Sequence, residues 1–276
     1  MLPSRLAAAL VLLCAAGAPS FAAKLPSCFP PTEIARARIV RVERNGVLVL
    51  EDGRAARLEG ILLPAGAGDH APEFLAAQAV AKLAELATGH IVTLAAEPPK
   101  EDRYGRLRAE AFVTDGAEEP WLQRALLRDG LARVSVAPDR DECVEELYAA
   151  ESHARAAKAG IWSLGAYRVR TPEELGGDVG TFQIVEGTVR AVTSGGGRVY
   201  LEFGSDRSED FAVVISSDDL KNFHAIGVDP FGYQGQTLRV RGWIDHLRRL
   251  EMEIATPAAV EVVASPPLRG AILAPQ

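Results

Sequence analysis

The stretch Asp102-Arg103-Tyr104-Gly105-Arg106 stands between two segments that read as β-strands, an apolar run over 91–96 and an alternating run over 108–114. A Gly placed directly after an aromatic residue marks a sharp reversal, so the two runs pair and Arg106 leaves the turn in a set direction. Arginine keeps its charge at any working pH and offers a planar fork that matches phosphate oxygens. The plainer alternative is an Asp-Arg pair that closes the hairpin.

Further turn signals organise the rest of the first half. Asn45-Gly46 and Asp52-Gly53 separate strands predicted over 35–43, 46–51 and 55–62. A Gly-containing loop over 64–72 leads into a helix over 73–88, where Phe74, Leu75, Val80, Leu83 and Leu86 recur at helical spacing before Gly89. Two more helices are predicted over 118–129 and 139–159, with Asp139 after Pro138 as the N-cap of the second. Five strands and three helices fit the small barrel known as the OB-fold. The fold class is therefore mixed α+β and mainly β.

A second pattern of short strands follows a Gly-containing linker over 166–181. It occupies 182–264, with a short helix over 220–226 before the fourth strand, and reads as another OB-like barrel. On its fourth strand Arg239, Arg241 and Trp243 share a face, and Arg198 with Tyr200 do so on a neighbour. Such a face can bind a polyanion or a single strand. The alternative is a solvated sheet face, which the nearby acids Asp206, Glu209 and Asp210 favour.

The order of motifs adds a resemblance. The chain reads Leu48-Val49-Leu50-Glu51-Asp52-Gly53-Arg54, Arg57-Leu58-Glu59-Gly60-Ile61, the turn 102–106, Leu131-Ala132-Arg133-Val134 and Ala159-Gly160-Ile161-Trp162-Ser163. Together these resemble the thermonucleases, the staphylococcal-nuclease-like enzymes, over about residues 34–165. The region 182–264 is similar to an extension found on some proteobacterial members. The resemblance implies phosphodiester hydrolysis with a carboxylate-held calcium, a carboxylate that activates water and arginines that stabilise developing charge. Arg57 and Arg106 match the two phosphate-binding arginines, and Asp102, Arg103 and Tyr104 match neighbours that frame the nucleotide.

The carboxylates implied by the same resemblance are missing. An Asp-x-Pro-Glu pattern is replaced by Leu62-Leu63-Pro64-Ala65, so a metal ligand becomes Leu62 and the general base becomes Ala65. The second metal position falls on Gly46, or on Asn45 if one residue is skipped. No cofactor is therefore expected and no metal ligand is assigned. Base-stacking aromatics are absent as well, since the chain reads Ser135-Val136-Ala137-Pro138. Asp69 and Glu73, in and beside the Gly-containing loop, are the candidates to compensate. His70 and the four other histidines form no ligand spacing.

Residues 1–23 read as an export signal: Arg5 is the basic start, 6–16 the apolar run, and Ser20-Phe21-Ala22 the cleavage site. The apolar run is short for a membrane span, and no later segment is long and apolar enough for one. Removal of the signal takes Cys14 and leaves Cys28 and Cys143, which suit a disulfide in an oxidising compartment such as the periplasm or the exterior. A net charge of −7 argues against tight general nucleic-acid binding. Three functions remain open: a degenerate nuclease domain kept as a binding module for nucleic acid or nucleotide, an active nuclease with unfamiliar ligands, and a structural envelope protein that binds a protein partner.

Overall fold

The computed structural model describes residues 27–263 except 29, 31, 117–120, 142 and 207–209. The expected export signal lies outside the described residues. Among them, no helix is long and apolar enough to cross a membrane.

The first half forms a closed barrel. Its strands are β1 (Glu33–Val42), β2 (Leu48–Leu50) and β3 (Ala55–Leu58), then, after the short β4 (Ile61–Leu62) and helix α1 (Phe74–Ala87), β5 (Ile91–Ala95) and β6 (Leu107–Val113). The ring order is β1-β2-β3-β6-β5, with β3 and β6 parallel and β1 paired to both β2 and β5. A register shift between Ile39 and Arg41 lets one long strand bend from one partner to the other. Alternation along β1 buries Ala35, Ala37 and Ile39, while Leu83 and Ala87 of α1 press the helix onto the same core.

Helix α2 (Leu122–Arg128), strand β7 (Arg133–Val134) and helix α3 (Val144–Ala156) complete this half, with β7 paired to β4. The sequence placed the start of α3 at Asp139. Instead Asp139 binds Arg108, and the helix begins after Cys143, whose φ is 58°. Cys143 is tied there to Cys28 by a disulfide.

The second half holds β8 (Phe182–Thr188), β9 (Ala191–Gly195), β10 (Arg198–Glu202), β11 (Ala212–Ser216), helix α4 (Ser217–Ala225), β12 (Thr237–His246), β13 (Leu250–Glu253) and β14 (Val260–Val262). Strand β10 pairs with β9 and β11, β11 runs parallel to β13, and β12 pairs with β13, β8 and β14. A parallel third-to-fifth strand pair and a helix before the fourth strand repeat the connectivity of the first barrel, if β8 and β9 count as one broken strand. The last strand expected over 252–263 is two strands, interrupted by the turn Pro257–Ala259.

The stretch expected as a linker is packed. Its turn Pro172–Gly177 carries a capping box from Thr171 and Glu174, and Tyr167 and Leu175 are buried. Tyr167 joins Leu75, Ala154, Ile161, Trp162 and Ile184 in a small apolar core that bridges the two halves.

Candidate functional site

The 102–106 turn is locked by its own first residue. Asp102 Oδ1 accepts from the backbone N–H of Tyr104 at 2.8 Å and of Arg106 at 3.1 Å, while Gly105 takes the left-handed conformation at φ 72°. Asp102 Oδ2 takes Arg106 Nε at 2.7 Å and Nη2 at 2.7 Å. Burial alone would push the Asp102 carboxyl up, but Arg106 and these backbone donors outweigh it and hold it below its ordinary value. The Tyr104 ring is exposed and lies near both guanidinium groups, 4.8 Å from Arg103 and 5.0 Å from Arg106. The Asp-Arg pair thus closes the hairpin and also fixes where Arg106 points.

Arg57 stands on β3 beside Arg108 of β6 in the parallel register. Two residues on, and on the same face, Glu59 is buried. Its Oε2 accepts from Arg108 Nη2 at 3.0 Å, and its Oε1 lies 3.5 Å from Arg57 Nε. Arg108 also makes a two-pronged pair with Asp139, at 2.7 and 2.9 Å, which holds the Asp139 carboxyl low. Glu59 was not singled out in the sequence. The signal was available, since period two puts it on the Arg57 face, but its burial depends on β6.

Arg57 and Arg106 line one cleft of about 640 Å³. Asp102, Arg103 and Tyr104 do not line it. The lining also holds Arg44, Asn45, Gly46, Leu62, Leu63 and Ala65, so the three positions at which the resemblance implies carboxylates line the same space as the arginines. At Gly46, whose φ is 78°, a Cβ would lie 2.4 Å from Leu63 Cδ1. A leucine side chain therefore occupies the room an acid at this position would need. Asn45 turns its Oδ1 to the N–H of Val47 at 3.2 Å.

The two candidate compensating acids part company. Asp69 is buried away from the cleft: Oδ2 accepts from Ala65 N–H at 2.7 Å and Tyr167 Oη at 2.9 Å, and Oδ1 pairs with Arg133 at 2.9 Å. Burial and then Asp69 push the Tyr167 phenol up, so it stays a donor. Glu73 does line the cleft, but its Oε2 accepts from the N–H of Ala67 at 3.2 Å. Calcium calls for roughly six to eight oxygen ligands. The cleft offers the single carboxylate of Glu73, already engaged, among leucine, alanine and glycine, and this donor set does not fit the ion. Elsewhere among the described residues, the grouping with ligand-like proximity is Cys28, Cys143 and Glu146, and its two sulfurs form the disulfide.

The two arginines of the face expected on β12 are taken up in ion pairs. Arg241 is buried and donates to Glu151 of α3 at 3.0 Å, to the carbonyl of Val134 at 3.1 Å and to Glu261 at 2.6 Å. Arg239 pairs with Glu186 and Glu261. Arg239 is thus held within the second half, while Arg241 serves the junction between the two halves, where Arg133 also donates to the carbonyl of Phe182 at 2.5 Å. Trp243 differs. It is 54% exposed, packs edge-on against Phe182 with ring centroids 5.9 Å apart, and lines the cleft that holds Arg57 and Arg106.

Comparison with known proteins adds one match. Residues 55–164 match the family model described as Staphylococcal nuclease homologue. The matched segment runs from β3 to the turn after α3 and includes Arg57, Leu62, Ala65 and the 102–106 turn, while Gly46 and Trp243 lie outside it. No curated protein matches the chain.

Proposed function

We propose, from the match of residues 55–164 to the staphylococcal nuclease homologue model, that this chain is an exported nuclease-family protein whose site binds phosphate-bearing ligands without cutting them. The observation that carries the reading is the lining of the cleft. Arg57 and Arg106 share it with Gly46, Leu62 and Ala65, and Leu63 is packed over Gly46. Phosphodiester hydrolysis needs an activated water and charge stabilisation together. Here the residues supply only the second. Arg106, held by Asp102, and Arg57, beside Glu59, would take phosphate oxygens as fixed donors of a nucleotide or a strand, with modest affinity on a chain of net charge −7.

The chain organisation proposed with this function is an export signal over 1–23, a nuclease-like unit over 34–165, a connection over 166–181 and a second OB-like unit over 182–264. Export is supported by the Cys28–Cys143 disulfide, which suits an oxidising compartment. Calorimetric titration of the mature protein tests the proposal. Nucleotide is expected to bind with chelator present and to bind more weakly to Arg106→Ala, while calcium gives no saturable heat. Tight calcium binding that nucleotide strengthens would contradict it.

A further inference from the structure

Trp243 lies outside the family-matched segment, yet it stands in the cleft. Among the residues that line this space it is the one aromatic, sharing the lining with Arg57, Arg106 and Ser135. Its ring is not a chance surface feature. Phe182, on the neighbouring strand, braces it edge-on, and the Phe182 carbonyl is in turn held by the buried Arg133 of β7. Two residues before it on β12, Arg241 is pinned to Glu151 of α3. Both halves of the molecule therefore fix the position of one half-exposed indole. The chain's other two tryptophans, Trp121 and Trp162, are buried.

We infer that the second half completes the cleft, with Trp243 as a stacking surface for the planar base of a nucleoside phosphate whose phosphate meets Arg57 and Arg106. A cleft of about 640 Å³ whose lining includes one aromatic and at least two cations suits a ligand that is flat at one end and anionic at the other. Arg44 adds a third cation to the lining, and the Glu73 carboxylate is turned to the N–H of Ala67. The inference rests on the phosphate-binding reading above and adds what that reading leaves open, the group beyond the phosphate. The ligand is either a free nucleoside monophosphate or one unit of a single strand.

Intrinsic fluorescence can read this out, because the one exposed indole is the one in the cleft. Mature protein is titrated with adenosine monophosphate, with ribose 5-phosphate and with a short oligothymidylate, at low salt and with calorimetry in parallel. Adenosine monophosphate is expected to quench the emission saturably and to bind about ten-fold or more tightly than ribose 5-phosphate. Trp243→Ala should erase that preference and leave ribose 5-phosphate binding unchanged, Trp243→Phe should retain the preference without quenching, and Arg106→Ala should weaken both ligands. Equal affinity for the two small ligands in the unmodified protein, or a Trp243→Ala change that weakens both alike, overturns the inference while the phosphate-binding reading stands. Absence of binding by all three ligands overturns both. Tighter binding of the oligothymidylate than of the monophosphate assigns the ligand to single strands, and the reverse assigns it to free nucleotides.

Discussion

Gly46 shows at a single residue why this part of the cleft does not readily take a carboxylate. It is a turn glycine at φ 78°, a conformation that residues with a Cβ rarely adopt, and Leu63 fills the space above it. Placing an acid there meets both obstacles at once. Gly46→Asp is expected to destabilise the protein by about 1–3 kcal/mol, from strain and overpacking against Leu63. Urea unfolding of the variant checks this, and an unchanged midpoint would show that the wall is softer than its packing suggests. Glu59 teaches a related lesson. It is a buried acid two residues from Arg57, and it is engaged by Arg108 rather than available to water. An acid near a catalytic-looking arginine is not evidence of chemistry until its partners are known.

At the scale of elements, the covalent tie matters most. The disulfide joins the segment before β1 to the start of α3, across a sequence separation of 115 residues. Replacing both cysteines with serine is expected to cost about 2–5 kcal/mol. The same loss should appear in denaturant melts of the unmodified protein under reducing conditions, and a midpoint insensitive to reductant would contradict it. This element and most of the barrel were legible in the sequence, because Asn45-Gly46, Asp52-Gly53 and the 102–106 turn are local signals and β1 alternates cleanly; the strand expected over 55–62 instead breaks at Gly60, φ 74°, into β3 and β4 with different partners. The start of α3 was not. Pro138-Asp139 has the chemistry of an N-cap, but Arg108, 31 residues away in sequence, takes the carboxylate. Asp69 hid its role for the same reason, since Arg133 and Tyr167 reach it from 64 and 98 residues away.

In the whole molecule, the junction decides what the second half does. Period two correctly put Arg239, Arg241 and Trp243 on one face of β12, but alternation cannot say what packs against that face. Part of it meets α3, and Trp243 emerges over the cleft. Arg241 is buried with Glu151 and Glu261 and lies over the Tyr148 ring at 4.3 Å, while burial pushes the Tyr148 phenol up. Removing one partner of such a cluster strands the other charges. Arg241→Met is expected to cost about 3–5 kcal/mol and to split one cooperative unfolding transition into two. A single unshifted transition in differential scanning calorimetry would show that the halves are not coupled through this cluster.

The most direct test of a cleft that holds phosphate but does not cut it follows both events in one tube. A short fluorescent single-stranded DNA is mixed with the mature protein at low salt with calcium, and anisotropy is recorded over hours before chelator is added. The proposed function predicts a rise that stays level, is indifferent to chelator, falls as salt is raised and is smaller in Arg106→Ala. A rise that decays as the strand is shortened, and that chelator arrests, would contradict it.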